Sequence, residues 1–321
     1  MAVTTEQLAT FQRDFHSVAD NVEQVILGKR HVIELVLIAM ISDGHVLLED
    51  VPGTGKTSLA RAVAQSVQGT NTRIQFTPDL LPGDVTGITV YDQKTGDFEF
   101  HAGPVFANVV LADEINRASP KTQSALLEVM SEGRVTVDGV TREVGRPFLV
   151  IATQNPIEQA GTYRLPEAQL DRFMLKTSLG YPDRAATVQI FEGSVRTRRD
   201  VAPVITRQTI SAMSELSGQV YVDPLIYDYI ARLIDATRDA EQVRLGASVR
   251  GGMALTRAVR TRALTQGRDY VVPDDVKLLA APVLSHRLIL HPEAEFDGVT
   301  ADAIIGQVVL AVAPPSQPVT R

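Results

Sequence analysis

The stretch Asp50-Val51-Pro52-Gly53-Thr54-Gly55-Lys56-Thr57 decides the fold of this 321-residue chain. It follows the apolar run His45-Val46-Leu47-Leu48-Glu49. After it, from Ser58 to Val67, apolar positions 59, 60, 63, 64 and 67 recur at helical spacing. A strand, a glycine loop and a helix in that order make a phosphate-binding cradle. Gly53 and Gly55 allow the backbone to curl so that its N–H groups point inward. The helix N-terminus adds partial positive charge at the same place. Pro52, Gly53, Thr54, Gly55 and Ser58 would form the cradle. Lys56 would reach the β- and γ-phosphates of ATP, and the Thr57 hydroxyl would hold Mg²⁺. Asp50 stands where the motif G-x-x-x-x-G-K-[ST] ordinarily carries its first glycine, which leaves the shape of the loop's entry open. The bland alternative, a glycine turn beside a surface lysine, is disfavoured by the strand and helix flanks.

A second site follows from Val109-Val110-Leu111-Ala112-Asp113-Glu114, a buried-strand pattern ending in adjacent carboxylates. In a parallel sheet the strand ends face one crevice. Asp113 would then enter the Mg²⁺ shell, and Glu114 would polarise a water for attack on the γ-phosphate. A residue that orients water implies hydrolysis. The alternative is a solvated strand end with a helix cap.

Several strings beyond these two sites resemble one family. They are Gln75-Phe76-Thr77-Pro78-Asp79-Leu80-Leu81-Pro82, Leu111-Ala112-Asp113-Glu114-Ile115-Asn116-Arg117-Ala118 and Ala152-Thr153-Gln154-Asn155-Pro156. Leu165-Pro166-Glu167-Ala168-Gln169-Leu170-Asp171-Arg172-Phe173 and Gly246-Ala247-Ser248 belong with them. Together with the phosphate loop they resemble the MoxR-type AAA+ ATPases of the helix-2-insert clade, relatives of the magnesium chelatase ATPase subunit. The resemblance runs from about Val25 to about Leu290. The loop alone is specific only to the superfamily, whereas the Phe-Thr-Pro-Asp and Asp-Glu-Ile-Asn-Arg-Ala strings are much more specific.

Composition bounds the remaining possibilities. The chain is 44% hydrophobic and 21% charged, the balance of a soluble globular protein. Only 5% is aromatic, with no Trp, so the core must be built mainly from Val, Leu, Ile and Ala. There is no Cys, which excludes disulfides and thiolate chemistry. The N-terminus shows no basic-then-apolar leader, and the apolar run from Leu35 to Ile41 is too short to span a bilayer. A cytoplasmic protein without membrane insertion is the expectation. The net charge of −7 opposes a broad nucleic-acid footprint. The six histidines show no metal-site spacing and read as structural or surface residues.

Thr4 to Gln24 reads as a helix opened by a Thr4…Gln7 capping box. Five strand candidates, 45–49, 72–76, 109–113, 148–152 and 174–178, alternate with helices or loops. That alternation gives an α/β fold with a parallel sheet flanked by helices. Two inserted hairpins interrupt it, at about 77–104 and 134–147, the second around the Asp138-Gly139 turn. They either face a central pore or decorate the surface. Helical patterns take over after Tyr181-Pro182-Asp183, with Pro224 and Pro273 at first-turn positions. The expected division is an α/β nucleotide-binding domain at 1–183, an all-helical lid at 184–313 and a disordered tail at 314–321.

The resemblance implies further roles. It gives the P-loop AAA+ five-stranded sheet the order 5-1-4-3-2. It places the region around Gly28 against the adenine, although Gly28 equally serves to end a helix. It makes Asn155 sensor 1, touching the attacking water or the γ-phosphate, where a turn-forming Asn before Pro is the alternative. It makes Arg172 an arginine finger acting in trans, against a local salt bridge to Asp171 or Glu167, with Arg164 as the fallback. It makes Arg250 sensor 2, although Val249 replaces the family's usual Pro and Gly251-Gly252 loosens that helix start. Ser248 reads as the cap of this helix, which puts the Arg250 cation where the helix dipole disfavours it. The implied assembly is a homo-oligomeric, six-membered ring. Its implied work is chaperone-like remodelling of protein clients with a von Willebrand factor A domain partner. A chelatase-type subunit for metal insertion, a nucleic-acid motor and a nucleotide-gated adaptor are the rival readings.

Overall fold

The computed structural model describes residues 3–51, 53–155, 162–163, 165–194 and 200–315. Pro52, Arg164 and residues 316–321 of the tail lie outside this set. The chain opens with helices α1 (Thr5–Glu23) and α2 (Arg30–Ile41). In α1 the Thr4 hydroxyl accepts from the Gln7 amide at 3.2 Å and the Gln7 side chain accepts from the Thr4 N–H at 2.9 Å, the expected capping box. From Val32 to Ile41 every residue of α2 except Glu34 is buried, as a helix apolar on all sides requires.

Strands β1 (Val46–Glu49), β2 (Asn71–Gln75), β3 (Gly87–Asp92), β4 (Asp97–Ala102) and β5 (Val109–Asp113) follow. So do β6 (Arg134–Val137), β7 (Val140–Glu143), β8 (Leu149–Gln154) and β9 (Leu175–Thr177). Five of them form one sheet in the order β2-β5-β8-β1-β9, with every pair parallel. Counting only these five in chain order and reading from the β9 edge gives 5-1-4-3-2, as the resemblance implied. The faces obey the period of two. Val46, Leu48, Val109, Leu111, Leu149 and Ile151 pack on one side. Leu47, Val110, Ala112, Val150 and Ala152 pack on the other. Near-continuous apolar runs are what a doubly covered parallel sheet demands.

The inserts are hairpins as expected. β3 pairs antiparallel with β4, and β6 with β7. The Arg142 guanidinium sits over the Phe100 ring at 3.9 Å, so the two hairpins touch. Helices α3 (Lys56–Ser66), α4 (Pro82–Thr86), α5 (Pro120–Glu132) and α6 (Glu167–Leu170) complete this half.

Beyond Asp183 come α7 (Arg184–Ser194), α8 (Arg207–Gly218), α9 (Pro224–Asp239), α10 (Val249–Thr265) and α11 (Pro273–Leu284). Pro224 and Pro273 open their helices. The expectation of an all-helical lid needs one correction. β10 (Val243–Leu245) and β11 (Ile289–Leu290) form a small antiparallel pair there. Strands this short carry no readable alternation. Helices α12 (Pro292–Phe296) and α13 (Ala301–Ala311) follow within the span expected to be helical. One apolar cluster runs from α1 to α3 into α8 to α11 and α13.

Candidate functional site

The phosphate loop joins β1 to α3. Gly53 and Gly55 take φ of 85° and 96°, where a side chain would be strained. Gly55 caps α3 without a side-chain acceptor, which leaves the first N–H groups of the helix for a ligand. The Thr54 hydroxyl is buried without a hydrogen-bond partner. Thr57 and Ser58 are exposed in the first turn of α3. Lys56 Nζ donates to the Asp50 carbonyl at 3.3 Å. Beside this turn lies a cleft of about 330 Å³ lined in part by Val25, Thr57, Ser58 and Arg61. Gly28, with φ of 69°, lies in the turn between α1 and α2, and a Cβ on it would come within 3.7 Å of Asp183 Oδ2.

Asp50 settles the unusual start of the motif. It is 3% exposed, and its carboxylate accepts from Ser178 Oγ at 2.9 Å, Leu179 N at 2.7 Å and Gly180 N at 2.8 Å. Its own N–H donates to the Gln154 carbonyl at 3.2 Å, tying the loop to the end of β8.

The carboxylate pair sits at the end of β5. Asp113 Oδ1 accepts from the Thr153 hydroxyl at 2.6 Å. Its Oδ2 accepts from Arg73 Nη2 at 2.6 Å and Nε at 3.2 Å. Glu114 is left-handed, with φ of 57°, a conformation that costs about 1 kcal/mol or more for a residue with a side chain. The Thr153 oxygen meets part of that cost by accepting the Glu114 N–H at 2.9 Å. Glu114 Oε2 accepts from Gln75 Nε2 at 2.8 Å and Arg117 Nη1 at 3.0 Å. Asn155 follows directly after β8, beside the loop that Gln154 holds. The ends of β1, β5 and β8 thus bring Lys56, Thr57, Asp113, Glu114 and Asn155 to one edge of the sheet.

A hydroxyl and a carboxylate at that edge suit Mg²⁺, which is usually bound by one or two protein oxygens together with substrate phosphates and water. Among the described residues there is no three-residue cluster that could hold a metal alone.

Arg172 and Arg250 lie elsewhere. Arg172 precedes β9, whose Leu175 pairs with Val46 at the start of β1, whereas the phosphate loop leaves the far end of β1. Arg172 Nη1 donates to the Leu127 carbonyl at 2.7 Å and to the Ser131 hydroxyl, at the C-terminal end of α5. Among the described residues Asp171 pairs not with Arg172 but with the buried Arg287, and it lies 3.8 Å from Arg250. Ser248 caps α10 by accepting from Gly251 N at 3.3 Å, which puts Arg250 in the first helical turn. Arg250 therefore lies beside Asp171, the residue before Arg172.

Sequence reasoning missed Arg73, Gln75, Arg117 and Thr153. Arg117 meets Glu114 at a spacing of three residues, and the signal for the strand residues is register. Arg73 and Gln75 are two apart on β2, hence on one face, and Gln75 pairs with Asp113.

A parallel 5-1-4-3-2 sheet with this loop and carboxylate pair defines a P-loop AAA+ ATPase. Family models agree. The "ATPase family associated with various cellular activities (AAA)" matches residues 45–175, and the "AAA lid domain" matches 235–308. The chain is similar to the uncharacterised protein YeaC of Bacillus subtilis, 47% identical over 96% of this chain and 98% of that one. It is 42% identical to the chaperone MoxR1 of Mycobacterium tuberculosis over 92% of this chain and 80% of that one. A solved structure from Cytophaga hutchinsonii, of a protein assigned to the ATPases, superposes with a TM-score of 0.90 at 38% identity, covering 97% of this chain and 98% of that one. The chain belongs to the MoxR family of AAA+ ATPases.

Proposed function

We propose that this protein hydrolyses ATP with Mg²⁺ at boundaries between identical subunits of a ring, and uses the cycle to remodel protein clients. The observation that carries the ring is the position of Arg172 and Arg250. Both stand away from the sheet edge that bears Lys56 and Glu114, so these two arginines are not gathered at the phosphate loop of their own chain. A head-to-tail contact supplies them from the next subunit and closes into a ring when the rotation permits, with six as the family expectation.

In this reading Gly53, Thr54, Gly55 and Ser58 hold the phosphates with their N–H groups, and the region around Gly28 faces the base. Pro52 belongs to the same loop. Lys56 exchanges the Asp50 carbonyl for phosphate oxygen. Thr57 and Asp113 hold Mg²⁺, which neutralises phosphate charge when bound. Glu114 orients the attacking water, and Asn155 contacts that water or the γ-phosphate. Arg172 and Arg250 act in trans. The working division is a nucleotide-binding part at 1–183 and a lid at 184–313. A von Willebrand factor A domain partner and a cytoplasmic setting complete the proposal. No helix among the described residues is long and apolar enough to cross a membrane, which is consistent with it.

The test is a pull-down with Glu114→Gln in ATP, which should trap clients and partner together. A companion anisotropy titration with duplex DNA at about 150 mM salt, where weak phosphate attraction is screened, should show no binding. Micromolar DNA affinity there would favour the nucleic-acid motor instead.

A further inference from the structure

From the Asp50 carboxylate we infer a positioning role: it couples the phosphate loop to the segment that leads into the lid. This rests on the ATPase reading above. Asp50 occupies the place where the loop motif ordinarily has glycine, so nothing in phosphate binding by backbone N–H groups requires its side chain. Yet that side chain is 3% exposed and takes three hydrogen bonds of 2.7 to 2.9 Å. All three donors belong to Ser178, Leu179 and Gly180, immediately after β9. Three more residues lead to the start of α7 at Arg184, and thus to the lid.

The backbone of Asp50 faces the catalytic side. Its carbonyl accepts from Lys56 Nζ, and its N–H donates to Gln154, the residue before Asn155. When Lys56 turns to phosphate, the Asp50 carbonyl loses its cationic donor and the loop entry is free to shift. The carboxylate is bonded rigidly enough to carry such a shift to residues 178–180, because charge-assisted bonds in a buried site are short and directional. The far end of that segment is also held. Lys29 Nζ donates to the Tyr181 carbonyl at 2.8 Å. Gly180 takes φ of 59°, so a bend there is cheap only for glycine. The motif glycine that Asp50 replaces would bind phosphate equally well and would carry nothing to the lid.

The experiment uses Asp50→Gly, which restores the common motif, with Asp50→Asn and Ser178→Ala as graded companions. Three quantities are measured on the full chain: ATP affinity, kcat and KM, and hydrogen exchange of residues 178–190 with and without ATP. ATP should change exchange in this segment of the wild type. In Asp50→Gly the ATP-dependent change should vanish and kcat should fall about tenfold, while ATP affinity moves less than about threefold. Ser178→Ala, which removes one donor and spares the loop, should reduce the ATP-dependent change partly. If Asp50→Gly misfolds by circular dichroism, Ser178→Ala and Asp50→Asn decide alone. Wild-type exchange and kcat in all folded variants would overturn the coupling. A wild type that binds no ATP would instead overturn the ATPase reading.

Discussion

Arg250 Nη1 lies 3.8 Å from Asp171 Oδ2, which places a lid arginine beside the residue that precedes Arg172, the proposed finger. The relationship joins two cations from distant parts of the chain on one surface. Under the proposed ring mechanism this surface would serve a neighbour's nucleotide.

Subunit mixing tests that surface. Glu114→Gln and Arg172→Ala should each be nearly inactive, the arginine variant by about 10³-fold or more. In an equal random mixture about a quarter of the boundaries pair an intact Glu114 with an intact Arg172, so up to that share of wild-type turnover should return. Light scattering should show mass rising with ATP, since ATP bound at the boundary favours assembly. A monomer that hydrolyses ATP at full rate with Arg172 replaced would exclude action in trans.

Arg73 occupies the Asp113 oxygen that the proposed Mg²⁺ site would use. Its guanidinium holds Oδ2 at 2.6 Å, so a cation must displace it or share the carboxylate. Arg73→Ala should lower the Mg²⁺ concentration for half-maximal turnover, by about threefold to tenfold. Titration of ATPase rate against Mg²⁺ at fixed ATP measures this. An unchanged midpoint would mean that Arg73 does not guard the site.

Acid should unfold this protein through its buried histidines. His45 Nδ1 accepts from the Val150 N–H at 3.1 Å, and its Nε2 lies 3.0 Å from the Met130 carbonyl, a pattern that only the neutral ring satisfies. Burial lowers its pKa from 6.5 to about 4. Burial and the neighbouring Arg287 push His286 down as well. The folded pKa lies below the unfolded one, so stability is full above pH 6.5 and declines as pH falls towards 4. At pH 5 the His45 contribution is about 2 kcal/mol lost. Urea unfolding at pH 7 and pH 5 should show it, and His45→Gln should flatten the difference. Equal slopes for wild type and variant would refute the assignment.

The Asp171–Arg287 pair fastens the lid to the turn that carries Arg172 and leads into β9. Arg287 is 2% exposed at its side chain and also donates to the Phe173 carbonyl at 2.6 Å. Removing one member of a buried pair leaves the other uncompensated. Arg287→Ala should therefore cost about 3–5 kcal/mol in denaturant unfolding. Arg287→Met, which keeps the bulk, should be no more destabilising, and a loss below about 1 kcal/mol in the alanine variant would contradict the clasp.

By itself the sequence determined the class of protein, because the features that define it are local. The phosphate loop, the Asp113-Glu114 strand end, the Asp138-Gly139 hairpin and the Thr4 capping box each lie within a few consecutive residues. Their conformations follow from glycine freedom, apolar period and short-range hydrogen bonds. The tertiary structure alone decided which residues meet across the sheet and the lid. Arg73 reaches Asp113 through strand register, Asp50 finds Ser178 through the pairing of β1 with β9, and Arg287 reaches Asp171 from the lid. Those contacts span 40, 128 and 116 residues, and no local pattern encodes them. They exist because the parallel sheet and the lid packed on it bring distant segments side by side, and a charged group buried there is stabilised by finding a partner.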